Sequence, residues 1–439
     1  MRRLLAQLGF ICGLGAATVA TLQLAVAQEL SKVESRGGAS GLSIEDSRIA
    51  LLSGEPTEAP TGFDGATNGF LTQEEFASAQ ESFEEREEPD EGLGPVYNAP
   101  SCVECHQNPV PGGISQITEL RAGHLVSSGD TRGFELARFE PAPGGSLIND
   151  RSIDPAIQER VPESEKVRAF RASLNTLGDG FVEAIRSQTL VDLARDQALK
   201  SRGRIRGEVV WVPVLEAGNA LRVGRFGWKN QHASLLSFSA DAYLNEMGIT
   251  NPLQPEENTS LGRSVEDFDE VSDPEDDGTD TQAFAAFMRS TKAPSRDEEL
   301  AATPEALSGQ KAFEEIGCVL CHVSTIVTAP AGTNINGGTF VVPPSLGNQV
   351  IHPFSDFLLH DVGTGDGIVQ NGGQGTANKL RTPPLWGVRT RTRLLHDGGS
   401  LTFRDAILRH RGEAEFVTVN FRLLSLRRQQ AVIQFLKSL

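Results

Sequence analysis

The run Cys102-Val-Glu-Cys-His106 returns once as Cys318-Val-Leu-Cys-His322, and no other pattern in the chain restricts its fold so strongly. Three chemistries use Cys-x-x-Cys: a zinc cage, a redox dithiol and covalent haem. A structural zinc site draws on paired motifs roughly fifteen to twenty residues apart. Here Cys318 lies more than two hundred residues beyond Cys102. A thioredoxin-type dithiol has no need of the histidine. A c-type haem does, because the two thiols add to its vinyl groups and the adjacent imidazole becomes the proximal ligand of the iron. The pattern therefore predicts two covalent haem c groups, one on Cys102 and Cys105 with His106, the other on Cys318 and Cys321 with His322.

The remaining cysteine agrees with export. Arg2-Arg3, an apolar run and the small-residue exit Ala25-Val26-Ala27 predict a cleaved signal peptide over residues 1–27, and hence a periplasmic protein. The run is interrupted by Gly, Thr and Gln, which argues against stable membrane insertion. Cys12 falls inside the signal, so the mature chain keeps cysteine only in the two motifs. Secreted disulfide scaffolds spread theirs across the fold. The formal net charge of -18 excludes nucleic acid as a partner, since phosphate binding needs a basic surface.

Periodicity divides the chain. Residues 28–91 read as an N-terminal extension with one amphipathic helix, opened by the capping pattern Thr72-x-x-Glu75 and facing inward through Phe76, Ala79 and Phe83. An N-terminal haem domain over 92–262 includes a β-hairpin between Arg206 and Trp228, where a β-branched run, a Gly-Asn turn and a second short run follow one another. Residues 263–281 form an acidic, solvated linker whose spacing does not match a calcium-binding EF-hand loop. A C-terminal cytochrome c-like domain over 282–439 starts with helices marked by Phe284, Phe287 and Met288, and by Ala312, Phe313 and Ile316. Residues 329–384 are rich in Gly, Pro and Asn, a stretch too long for a bare loop unless it wraps something. A final helix carries Val432, Phe435, Leu436 and Leu439 on one face. The fold class is mainly α, with irregular loops and a small hairpin.

Function then turns on the sixth position of each iron: closed by Met or His it shuttles electrons, open it binds oxygen or peroxide. The mature chain offers Met247 and Met288, neither in a typical ligand loop, and six further histidines. His396 stands out, on a tight His-Asp-Gly-Gly turn after a Pro-rich loop within the half that carries the second motif. His360, in a repeat of the same Leu-Leu-His-Asp string, is the runner-up.

The strings GLGPVYNAPSCVECH, RFGWKNQHASLLSFSADAYLNEMGITNPL, IGCVLCH, FSDFLLHDVG and RTPPLWG with LLHDGGS together resemble the di-haem oxidoreductase family, from about Gly92 to the C-terminus. The family is related to bacterial di-haem cytochrome c peroxidases, the methylamine dehydrogenase maturation enzyme and rubber oxygenases. The resemblance implies that the N-terminal haem reacts with hydrogen peroxide while the C-terminal haem passes electrons from a donor protein or a small reductant. It makes Trp228 the aromatic residue between the haems and Glu246, in Asn-Glu-Met-Gly, the catalytic acid–base group. FGWKNQHASL and LLHDGGSLTF then occupy matching places in two related halves. Where the peroxidases often carry Met before the His-Asp-Gly turn, this chain has Leu395, which cannot ligate iron, so His396 is the expected sixth ligand of the second haem. Calcium between the domains, known in the related peroxidases, finds no ligand set in this sequence. Two readings stay open beside the peroxidase: a non-enzymatic di-haem electron carrier, and an oxygen-dependent oxygenase.

Overall fold

The first helix forms because its ends are satisfied locally. The computed structural model describes residues 55–129 and 135–439, and in it helix α1 spans Gln73–Glu84 with both halves of the capping box made. The Thr72 hydroxyl accepts from the Glu75 amide at 3.2 Å, and the Glu75 carboxylate accepts from the Thr72 amide at 2.9 Å. Phe76, Ala79 and Phe83 face inward as their spacing predicts. The signal segment, Cys12 and residues 28–54 of the extension lie outside the described residues.

Helices account for most of the regular structure. After α1 come α2 Asp179–Glu183, α3 Ser187–Lys200, α4 Leu235–Ala242 and α5 Thr279–Ser290. In the second half lie α6 Pro304–Ile316, α7 Phe403–Arg409, α8 Glu415–Leu423 and α9 Leu426–Ser438. Helix α1 packs on α5 through aromatic rings, with Phe83 and Phe287 centred 4.7 Å apart and Phe76 and Phe287 5.4 Å apart. The core around them includes Phe181, Phe226 and Met247 and continues into Ile326, Leu346, Ile351 and Phe357, so the two motif-bearing halves share packing. A second core, built on Phe313, Phe421, Val432 and Phe435, belongs to the C-terminal helices.

Helices α6 and α9 meet at Gly309, where a Cβ would stand 1.9 Å from the carbonyl oxygen of Ala431. Gly309→Ala should therefore force the pair apart and lower stability by about 1–3 kcal/mol, read from the shift in urea midpoint at unchanged m-value.

The β structure goes beyond the expected hairpin. That hairpin is present, as Trp211–Val214 paired antiparallel with Ala220–Val223 across a turn holding Gly218 and Asn219 at positive φ. The first half also contains a four-stranded antiparallel sheet that periodicity did not announce. Its strands are β1 Thr118–Gly129, β2 Glu135–Pro141, β3 Leu147–Ile148 and β4 Val167–Ala172, with β1 pairing all three others. The register sets Glu119 opposite Arg171. In the second half, residues 329–384 hold only two-stranded and three-stranded patches and single 3-10 turns. No helix among the described residues is long and apolar enough to cross a membrane.

Candidate active site

Each Cys-x-x-Cys-His motif forms a single tight turn against a phenylalanine. In the first, the His106 amide closes on the Cys102 carbonyl at 3.0 Å, and the imidazole packs 6.2 Å from the Phe83 ring of α1. In the second, the His322 amide closes on the Cys318 carbonyl at 3.0 Å, and the imidazole lies 6.0 Å from Phe313 of α6. None of the four motif cysteines is in a disulfide. Burial pushes Cys102, Cys105 and Cys318 up to about 12, so they are neutral at pH 7.

The histidines are set up as ligands. His106 Nδ1 lies 3.2 Å from the Gly113 carbonyl and His322 Nδ1 lies 3.0 Å from the Phe354 carbonyl. A carbonyl only accepts, so each Nδ1 carries the proton of the neutral ring; His106 has a second backbone partner in Leu174, whereas among the described residues Phe354 is the one backbone partner of His322. Burial holds both rings below their ordinary pKa, His322 at about 4, which keeps them neutral. This is the outer-shell arrangement that fixes the tautomer of a metal-bound imidazole.

Each motif opens on a cavity, and the two differ in character. The first has a volume of about 890 Å³ and is lined by Cys102, Cys105 and His106 together with Glu119, Arg121, Arg171 and Glu246. The second, at about 180 Å³, is narrower and is lined by Cys318, Cys321 and His322 among apolar side chains such as Leu380, Leu394, Phe403 and Phe421. Neutral histidines, paired thiols and, around the second motif above all, apolar walls fit a flat macrocycle held by thioethers.

Glu246 is delivered to the first cavity by a departure from regular helix. Helix α4 runs into a π-helical turn, Tyr243–Met247, which ends at Gly248 with φ 75°. A Cβ there would approach the Val96 carbonyl to 2.7 Å and the Gly94 backbone to 2.8 Å, so the turn presses directly on the segment leading to the first motif. The Glu246 carbonyl accepts from the amides of Asn98 at 2.7 Å and Ala99 at 3.2 Å. Its carboxyl accepts from the Asn98 side-chain amide at 2.7 Å. Burial, and after it the charge of Glu119, pushes the Glu246 carboxyl up to about 8. Such turns are frequent at functional sites because they re-aim one side chain.

Strand β1 supplies the opposite wall. Glu119 and Arg121 are two apart, so they share one face. They form a two-pronged ion pair with both contacts at 2.9 Å. From Glu119 the charges continue inward: Arg171 stands 3.7 Å from Glu119 and 2.7 Å from Asp366, and Lys229 stands 3.0 Å from Asp366. Sequence reading missed Glu119, Arg121, Arg171 and Asp366, because nothing local marks charged residues on an unrecognised strand. The one available signal is the charged alternation Glu119-x-Arg121 inside an otherwise weakly polar run.

Trp228 stands where the two cavities adjoin. It lines both, as does Arg381, whose amide donates to the Trp228 carbonyl at 2.8 Å. The Trp228 indole N–H donates to the Ala172 carbonyl at 2.8 Å, and the Ala172 amide donates to the His396 carbonyl at 2.6 Å. The Trp228 and His396 rings meet edge to face, 6.0 Å between centroids. The structure thus brings Trp228 and His396, far apart in sequence, into contact.

His396 lines the second cavity, is 5% exposed, and its buried Nδ1 has no hydrogen-bond partner. Leu395, at φ 68°, sharpens the turn, and the Asp397–Arg409 ion pair at 2.6 Å braces it. His360 is placed differently. Its Nε2 lies 2.8 Å from Asp356 and its Nδ1 3.0 Å from Glu413, so both nitrogens are committed to carboxylates. Although burial favours the neutral ring, Asp356 leads the contacts that hold it charged, well above its ordinary range. His410 also lines the second cavity, donating from Nδ1 to the Ala406 carbonyl at 2.8 Å. Of the other histidines, His232 pairs with Asp241, His124 with Glu165 and His352 with Glu58. Met247 and Met288 are both buried and both line the first cavity.

In the acidic stretch, Asp269, Asp273 and Glu275 bring ligand atoms within 4.8 Å of one another. The Thr250 hydroxyl, at 2.5 Å from Asp273, and the Thr250 amide, at 2.6 Å from Glu275, already engage two of them. Val265 in the same stretch is buried, and Asp276 caps the start of α5 by accepting from the Asp280 amide at 3.1 Å.

Residues 149–439 match the family model described as "Di-haem oxidoreductase, putative peroxidase", a span that contains the second motif and Glu246 and starts beyond the first motif. No curated protein matches. Among solved structures, hydrazine synthase of Kuenenia stuttgartiensis aligns at 15% identity over 92% of this chain and 97% of its own, with a TM-score of 0.38. A MauG-like protein associated with microbial copper homeostasis aligns at 14% identity over 92% and 95%, also with a TM-score of 0.38.

Proposed function

Because the chain belongs to the di-haem oxidoreductase family, we propose that it is an exported, periplasmic c-type enzyme that reacts with hydrogen peroxide beside the first motif and feeds electrons in through the second. The supporting observation is the asymmetry of the two cavities. One presents a carboxyl, a second carboxylate and an arginine; the other is apolar and contains a neutral histidine with an unpartnered nitrogen. Residues 92–262 and 282–439 are the two haem domains in this reading, with thioethers at Cys102, Cys105, Cys318 and Cys321.

When bound, the haems supply an iron that takes peroxide oxygen and a store of electrons. The chain's own residues do the rest. Cleavage of the O–O bond requires a proton to leave the oxygen nearer the iron and reach the departing one. Glu246 carries it, taking the proton from the first oxygen and returning it to the second, which leaves as water. The remaining oxygen also ends as water, so one peroxide, two protons and two electrons give two waters. The electrons come from a donor protein, a small reductant or an organic substrate.

His396 is the residue that would hold the second iron opposite its motif. Its turn is braced by Asp397 and Arg409, and its ring is kept neutral chiefly by burial. His360, with a carboxylate on each nitrogen, is a structural cation instead. Trp228 lies on the route between the motifs.

Rapid mixing of the reduced holoprotein with hydrogen peroxide should oxidise both haems at a rate that depends on peroxide concentration. No spectral change in any redox state would defeat the reading, and turnover with oxygen but without peroxide would replace it with the oxygenase. Trp228→Phe keeps a ring but loses the indole N–H to Ala172. It should slow oxidation of the second haem more than that of the first, seen as two separated kinetic phases.

A further inference from the structure

We infer that Glu119 and Glu246 share one proton, held on Glu246 by the pairing of Glu119 with Arg121, which makes Glu119 a positioning residue for the acid–base step. The inference rests on the peroxide reading above and deepens it by assigning a second carboxyl and a cation to the same site. The two glutamates come from unconnected elements, β1 and the π-helical turn after α4, yet both line the first cavity and each shifts the ionisation of the other. Two ionised carboxylates in one buried cluster repel, so a single proton between them is favoured.

The surroundings decide which one. Glu119 faces Arg121 at 2.9 Å through both oxygens, with Arg171 at 3.7 Å behind it. Glu246 accepts from the neutral amide of Asn98 at 2.7 Å, and the charge of Arg121 offsets burial and Glu119 only in part. Burial raises both carboxyls, but Arg121 brings Glu119 below its ordinary range, while the charge of Glu119 adds to burial on Glu246. The other charged groups nearby are compensated. Asp241 on α4 pairs with His232 at 3.0 Å, and beyond the neutral Cys105, Glu104 pairs with Arg151 at 3.1 Å. The pair titrates as a unit, and its midpoint belongs to the dyad.

A base must give up its proton before it can take one from peroxide. The second-order peroxide rate should therefore rise with pH through the midpoint of the pair, which burial and the charge of Glu119 set above the ordinary carboxyl range.

The test uses the holoprotein and two substitutions that should move the midpoint in opposite directions. Glu119→Gln removes the neighbouring charge and frees Arg121 for Glu246, so the midpoint should fall by about one pH unit or more. Arg121→Gln removes the cation that keeps Glu119 ionised, so the pair should hold its proton to higher pH. Glu119→Asp, which keeps the charge, should restore most of the wild-type profile. Infrared spectra of the resting protein supply a readout independent of turnover: the band of a buried protonated carboxyl, absent in Glu246→Gln, should fade at lower pH in Glu119→Gln than in wild type. If the two substitutions lower the rate without moving midpoint or band, Glu119 is merely structural and the inference falls. If peroxide fails to react while the band shifts as stated, the dyad stands and the peroxide reading falls instead.

Discussion

Glu246→Gln should lower the second-order rate of the peroxide reaction by roughly 10²–10⁴-fold, the usual contribution of a positioned acid–base group. Glutamine keeps the size of the side chain and can still meet Asn98, but it cannot take a proton and give it back. Both haems should stay attached, because neither motif depends on the carboxyl. Their resting absorption spectra should change little. A loss of less than threefold would mean that Glu246 is a buried structural carboxyl and that water in the large first cavity carries the proton.

His396→Ala is expected to have the second large effect. The second iron should pass from six-coordinate low spin to high spin, because the imidazole assigned to it is gone and no other ring faces Trp228 from the same turn. His360 is occupied at both nitrogens, and His410 is tied at Nδ1 to the Ala406 carbonyl. Removing the imidazole also removes the ring that meets Trp228, so electron delivery between the motifs should fall along with the change in spin. Paramagnetic resonance of the ferric protein reads the first effect, and the rate of peroxide-driven oxidation of the second haem reads the other. An unchanged low-spin signal would transfer the ligand role to His410, whose Nε2 faces no partner that the structure records.

The parts of this fold that sequence reveals are those whose pattern is local. Thr72 and Glu75 announce α1, Phe313 and Ile316 announce α6, and Val432, Phe435 and Leu436 announce α9, because each helix buries one stripe. The four-stranded sheet is different. Strand β1 carries Glu119 and Arg121 toward a polar cavity and leaves Leu125 exposed, so its alternation of apolar and polar residues is blurred. Its pairing with Val167–Ala172 spans some fifty residues of intervening chain. A strand that lines a polar site cannot also look like a strand that covers a core.

The site shows the same division. The motif spacing suffices to set each pair of thiols in one turn with its histidine, and the pairing of FGWKNQHASL with LLHDGGSLTF names Trp228 and His396, whose rings meet at 6.0 Å. What separates His396 from His360 is not in their shared Leu-Leu-His-Asp string. It lies in Asp356 and Glu413, one a turn upstream and the other more than fifty residues downstream, whose carboxylates occupy the ring of His360. Likewise, no local signal could assign Glu119 to Glu246, since their meeting depends on where the sheet edge falls against the π-helical turn.

The central claim is that the first iron reacts and the second supplies electrons. Electron paramagnetic resonance of the holoprotein, taken in the ferric and half-reduced states before and after hydrogen peroxide, tests it most directly. If the claim holds, the second iron gives a low-spin signal in the fully ferric protein, loses it in the half-reduced state where that iron is ferrous, and regains it when peroxide is added, while the first iron gives a high-spin component in at least one redox state that disappears with peroxide. Two low-spin irons in every state, indifferent to peroxide, would contradict it. Met247 or Met288 would then close the first iron, and the chain would be an electron carrier.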